Sequence, residues 1–247
     1  MSDLTVILPA AGQGTRLNLP YPKEILRLDK EQALIDYSFD FFRDYGRKDV
    51  QFVVVINEKK TEIIHYLSKY KNRYNISFTY QDPNEFEYTG AIKSAKHLFG
   101  NLNVVLLPDT IMTLYNNNDL YQTIRHSIDR TGFSFLFKRE QLSDMLKTKG
   151  SVYVNDVNEI LLYEDKPEKN YDRFNAFWCG FSFYNNCFDE CMSFMERSTL
   201  RKQVRCEDIK DTPIFKSVGI EVQEYKDLGT WEEIRKLLSN HKEDNGG

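Results

Sequence analysis

Four residues near the start of the chain could do chemistry together. Gly12 and Gly14 leave a backbone free to approach a ligand, Arg16 offers an always-charged planar fork, and Lys23 adds a compact point charge. They stand in Leu8-Pro-Ala-Ala-Gly-Gln-Gly-Thr-Arg-Leu-Asn-Leu-Pro-Tyr-Pro-Lys23, directly after the apolar run Leu4 to Leu8. Successive free N–H groups form an anion-binding concavity, and the two cations suit phosphate oxygens. A buried strand, a glycine loop and two cations describe a triphosphate cradle. A tight turn with surface Arg and Lys is the plainer alternative.

The two common glycine motifs are absent. There is no G-x-x-x-x-G-K-[ST], and Gly12-Gln-Gly14-Thr-Arg-Leu lacks the third glycine of the dinucleotide fingerprint. The run Pro9-Ala-Ala-Gly-x-Gly-Thr-Arg16 with the later Pro22-Lys23 resembles the nucleotidylyltransferases that make nucleotide-diphospho-sugars, such as the glucose-1-phosphate thymidylyl- and uridylyltransferases. Five residues separate Arg16 from Pro22. That spacing is shorter than in the sugar enzymes and looks more like the methylerythritol-phosphate cytidylyltransferase branch.

Further polar residues follow apolar runs. Asp109, in Leu106-Leu-Pro-Asp-Thr110, could hold a hard cation or close a turn. Asp227 opens Asp-Leu-Gly-Thr-Trp-Glu-Glu233, where Thr230 and Glu233 have the spacing of a capping box. Gln81 carries a paired donor and acceptor that suit the edge of uracil or thymine, or is simply an exposed strand end. The resemblance implies that Ala10, Ala11, Gly12, Gln13, Gly14 and Thr15 cradle the nucleotide, with Gln81, Thr89 and Gly90 at the base. It implies that Arg16 and Lys23 are catalytic and that Asp109 and Asp227 hold Mg²⁺, with Pro108 standing where the family has Gly. Tyr163-Glu-Asp-Lys166-Pro167 resembles the family's Glu-Lys-Pro, with Asp165 in place of Glu. The same resemblance assigns Gly150, Asp165, Lys166, Asn175 and Trp178 to the acceptor; by residue type alone Phe177 and Trp178 are as readily core.

The implied reaction is nucleotidyl transfer from UTP or dTTP to a sugar-1-phosphate, with release of pyrophosphate. A CTP-dependent enzyme acting on a non-sugar phosphate or phosphonate is the alternative, and a non-catalytic nucleotide-binding paralogue is a third reading. No H-E-x-x-H or G-x-S-x-G is present, which disfavours zinc and serine hydrolysis.

Elements must hold these residues in place. Apolar runs at 52–56 and 103–107, an alternating run at 76–81, and helical periodicities at 31–45, 59–70 and 89–99 read as alternating strands and helices. In such sheets ligands lie beyond the carboxyl ends of the strands. Later stretches predict helices at 120–128, 188–195, 208–216 and 230–238. They predict strands at 133–137, 177–184 and 220–225, and a hairpin of 151–155 with 159–163. The expected fold is α/β, a single Rossmann-like (GT-A-like) domain over residues 1–241. Its mixed, mostly parallel sheet is flanked by helices and carries a small acceptor-binding lobe, with 242–247 as a flexible tail.

The 247 residues suit one large domain, and a net charge of −4 with interspersed signs argues against a nucleic-acid partner. No apolar run reaches the ~20 residues of a membrane span, and no signal peptide is expected before Ser2. Cys179, Cys187, Cys191 and Cys206 form no C-x-x-C pair and read as free thiols in a cytoplasmic setting. The expected partners are an NTP and a phosphorylated small-molecule acceptor. The family resemblance allows a homo-oligomer, although no heptad or apolar patch points to one.

Overall fold

A computed structural model describes residues 4–43, 50–115, 120–199 and 206–244. Ten described strands form one sheet: β1 (Leu4–Pro9), β2 (Val50–Ile56), β3 (Asn75–Tyr80), β4 (Leu102–Leu106), β5 (Thr110–Leu114), β6 (Phe133–Arg139), β7 (Gly150–Val154), β8 (Ile160–Asp165), β9 (Ala176–Tyr184) and β10 (Ile220–Asp227). The helices are α1 (Asp36–Asp40), α2 (Glu62–Leu67), α3 (Glu87–Ser94), α4 (Leu120–Ile128), α5 (Ser143–Thr148), α6 (Phe188–Thr199) and α7 (Trp231–Asp244).

The strand order is β3-β2-β1-β4-β9-β6-β10-β5, with β7 beside β9 and β8 beyond it. The first four strands run parallel. β9 is antiparallel to both β4 and β6, and β10 returns parallel to β6. The sheet is therefore mixed, and its parallel half carries the glycine loop.

Alternation along the central strands divides the core. Leu4, Val6 and Leu8 of β1, with Phe52, Val54 and Ile56 of β2, share a buried cluster with α1, α2 and α4. Ile7, Val53, Val55 and Val105 face the other way, onto α3 and α6. Helices cover both faces, which is why these strands read as near-continuous apolar runs. A third cluster of Leu17, Leu34, Leu228, Ile234 and Leu237 fastens α7 to the glycine loop.

Several elements differ from the sequence expectation. The helix expected over 31–45 is the short α1. Asp29 accepts the N–H groups of Glu31 and Gln32, both at 2.7 Å, and Arg27 bridges Ala33, so an Asx-type turn holds the first residues. Its expected end at Tyr45 and Gly46 lies outside the described residues. The helix expected over 208–216 is a 3₁₀ segment, Cys206–Asp211, followed by turns at Pro213. β5 and α5 have no counterpart among the expectations. α7 runs on from Leu238 to Asp244, into the stretch read as a tail.

Candidate active site

The glycine loop hangs between two strand ends. Ala10 donates its N–H to Val55 at 2.8 Å. Asn57, just past β2, donates its side-chain amide to the Ala11 carbonyl at 2.5 Å. The Lys60 ammonium donates to the Ala10 carbonyl at 2.7 Å and to both oxygens of Glu24 at 2.7 and 2.9 Å. Burial pushes the Glu24 carboxyl up against the pull of Lys60, and burial likewise lowers Lys60. Gly14 sits in the left-handed region at φ +66°, and a Cβ added at Gly12 would meet nothing within 4 Å. The loop is thus fixed from below and open above.

Above it lies a cleft of about 770 Å³. Ala11 to Arg16, Lys23, Gln81, Glu85 to Tyr88, Ala91 and Leu107 to Asp109 line it. The residues that follow β1, β3 and β4 converge as the strand-end rule anticipates. Gln81 donates its amide to the Glu85 carbonyl at 2.8 Å, so its oxygen is the group left for a ligand. Thr89 is buried at 2 % exposure, and a Cβ on Gly90 would lie 2.7 Å from the Glu85 carbonyl carbon. Gly90 lets the loop that ends at Phe86 pack down on α3.

The backbones that carry Asp109 and Asp227, distant in the chain, adjoin beside this cleft. Thr110 of β5 is the register partner of Asp227 at the end of β10, and Leu228 donates its N–H to the Asp109 carbonyl at 2.9 Å. Each carboxylate holds a lysine: Lys23 on Asp109 and Lys149 on Asp227. Gly229 donates its N–H to Asp227 Oδ1 at 2.9 Å. A Cβ on Gly229 would come within 2.9 Å of the Arg16 guanidinium and 3.0 Å of Asp227, which puts Arg16 beside that carboxylate. Burial works to raise Asp227, but Lys149, the Gly229 N–H and Arg16 outweigh it and hold the carboxyl below its ordinary value. Downstream, Thr230 accepts the Glu233 N–H at 3.3 Å, and Trp231 donates to the Leu17 carbonyl at 3.0 Å.

The residues assigned to the acceptor lie outside the cleft, on and around the β7–β8 hairpin. Gly150 opposes Asp165 in register. Lys166, exposed and at φ +50°, donates its N–H to the Lys149 carbonyl at 2.9 Å. Asn175 has both ends of its amide on the Val154 backbone at 2.8 Å, clamping the hairpin to β9. Trp178 is 9 % exposed, and its indole nitrogen lies where a Cβ on Gly150 would fall. Phe177, at 2 % exposure, is core.

Sequence reasoning passed over Lys149, Asn57, Lys60 and Glu24. Asn57 and Lys60 follow a buried strand, as Gln81 and Asp109 do, and that rule could have found them. Lys149 carried no comparable signal. Among the described residues no three or more His, Cys, Asp or Glu side chains converge to hold a metal. No described helix is long and apolar enough to cross a membrane.

Residues 4–243 match the Nucleotidyl transferase family. The chain belongs to that family. It is 26% identical over 123 residues to a 2-C-methyl-D-erythritol 4-phosphate cytidylyltransferase of Wigglesworthia glossinidia brevipalpis, a match over 50% of this chain and 51% of that protein. The chain thus spans about half the length of this curated relative. Its fold is similar to a UDP-glucose pyrophosphorylase from Acinetobacter baumanii, with a TM-score of 0.71, 20% identity, and 96% and 92% of the two chains covered. It is also similar to a UDP-glucose pyrophosphorylase complexed with UDP-glucose, with a TM-score of 0.72, 16% identity, and 99% and 100% covered. The Rossmann-like nucleotidyl transferase fold therefore spans nearly the whole chain.

Proposed function

We propose that this chain transfers an NMP unit from an NTP, UTP or dTTP favoured, to a sugar-1-phosphate, forming a nucleotide-diphospho-sugar and pyrophosphate. The observation that carries the reading is the meeting of Lys23 with Asp109, and of Arg16 with Asp227, beside one glycine-lined cleft. An acceptor phosphate oxygen bonds to the α-phosphorus as the bond to the β-phosphate oxygen breaks, and pyrophosphate departs with that electron pair. The acceptor is already ionised at neutral pH, so no general base is required. Ala10 to Thr15 cradle the phosphates, Arg16 holds those that depart, and Lys23 offsets charge growing on the α-phosphate. Gln81 presents an acceptor oxygen to a base edge that donates, such as the N3–H of uracil or thymine.

Two hard carboxylate donors on adjoining backbone segments fit Mg²⁺, which takes one or two carboxylates and completes its shell with water and phosphate oxygens. Asp109 and Asp227 would hold it, and the ion would neutralise phosphate charge. Lys166, with Asp165, Asn175, Gly150 and Trp178 shaping the hairpin around it, would hold the acceptor phosphate. The reading places the protein in the cytoplasm, with an NTP and a phosphorylated small-molecule acceptor as partners and a homo-oligomer allowed.

A second reading keeps the chemistry and changes the substrates to CTP and a non-sugar phosphate or phosphonate. The short step from Arg16 to Pro22 and the match to a cytidylyltransferase support it. Product analysis by mass spectrometry, with each NTP offered against sugar-1-phosphates and small phosphonates, separates the two. A UDP- or dTDP-sugar supports the first reading, and a CDP product with a non-sugar acceptor replaces it with the second.

A further inference from the structure

Lys149 stands one residue before Gly150, at the entry to β7, and reaches across to β10. Its ammonium pairs with Asp227 Oδ2 and lies 5.7 Å from the centre of the Tyr225 ring. Gly229 N–H holds the other oxygen of Asp227. Each oxygen of the carboxylate therefore already has a partner. The Lys149 side chain is 19% exposed and that of Asp227 is 26%, so solvent screens the pair only in part. Arg16 also stands near the same carboxylate.

We propose that Lys149 is the resident counter-ion of Asp227, a positioning residue that competes with a divalent cation for that carboxylate. The inference takes from the proposed function only the assignment of Asp227 to the metal. An ammonium and a divalent ion on one carboxylate repel each other, so each weakens the other's hold on Asp227. The carbonyl of Lys149 also receives the N–H of Lys166. Lys149 thus ties the carboxylate at the reaction centre to the hairpin assigned to the acceptor. A divalent ion that binds Asp227 loosens an ammonium at the edge of that hairpin.

The test is Mn²⁺ titration of the nucleotide-free protein, with free Mn²⁺ read by electron paramagnetic resonance. Lys149→Met should bind one Mn²⁺ about tenfold or more tightly than the wild type. Lys149→Arg, which keeps the charge, should stay at the wild-type affinity. Adding Asp227→Asn to Lys149→Met should abolish the gain. A Lys149→Met protein that binds Mn²⁺ no more tightly than the wild type overturns the proposal, as does a gain that survives Asp227→Asn. If the methionine variant does not fold, Lys149→Gln carries the same expectation and the same reversal. The readout needs no turnover. A chain that released no pyrophosphate could still show the gain, and an active enzyme could lack it.

Discussion

Lys60 and Glu24 form a buried ion pair directly beneath the glycine loop, their side chains 6% and 1% exposed, and the same ammonium holds the carbonyl of Ala10. Removing one partner of such a pair leaves a lone buried charge. Lys60→Met should therefore cost about 3–5 kcal/mol in urea unfolding. Lys60→Met with Glu24→Leu should recover part of that stability, because no unpaired charge remains. Nucleotide affinity should not recover with it, because the Ala10 carbonyl has still lost its Lys60 partner. A loss below about 1 kcal/mol in the single variant would show that the pair is not what supports the loop.

Gly150 and Trp178 are matched in the same strict sense. A methyl on Gly150 would overlap the indole nitrogen, so Gly150→Ala should displace Trp178 and destabilise the fold by about 1–3 kcal/mol. Trp178→Ala should make the alanine at 150 nearly harmless. A double-mutant cycle on thermal unfolding measures this, and additive single effects would contradict the packing described.

These two pairs also mark how far the sequence could be read. The parallel half was legible, because strands buried on both faces are continuous apolar runs and the polar residues after them mark one crevice. Gly12, Arg16, Gln81 and Asp109 came from that pattern. Asp227 came from a motif at the far end of the chain, and the structure sets it beside Asp109 through β5, a strand with too short a run to be noticed. Lys149 could not have been found, because its pairing with Asp227 depends on the residue before β7 reaching the end of β10 in space. The helix over 31–45 failed because the Asp29 side chain captured the N–H groups that its first turn needed.

The thiols give an independent check on the core. Burial pushes the Cys179 and Cys191 thiols far above their ordinary value, and Cys187 is raised less and is partly exposed. Native protein at pH 7 should be alkylated at Cys187 before Cys179 or Cys191, which should react only after denaturation. Peptide mass spectrometry reads the order. Fast labelling of Cys179 would contradict the packing of β9.

Acid should weaken the fold through Asp227. Its folded value lies below the ordinary aspartate value, so the folded state holds its proton less readily than the unfolded chain. The stability it contributes is full above the unfolded value, about 3.9, and is lost as pH falls through the lower folded value. The stability gap between wild type and Asp227→Asn should therefore be present at pH 6 and shrink on acidification below the unfolded value. A gap independent of pH would mean that Lys149, Gly229 and Arg16 do not stabilise the ionised carboxylate.

Pyrophosphate release with Mg²⁺, measured for the wild type and for Lys23→Ala across UTP, dTTP and CTP with sugar-1-phosphates and small phosphonates, decides whether this protein is a nucleotidyl transferase in action. Release should depend on the acceptor, proceed with a pyrimidine nucleotide and fall by about 10²–10³ when Lys23 is removed, the usual scale for losing one stabiliser of developing charge. Near-normal turnover in Lys23→Ala, or no release from the wild type with any pair, would contradict the proposed function.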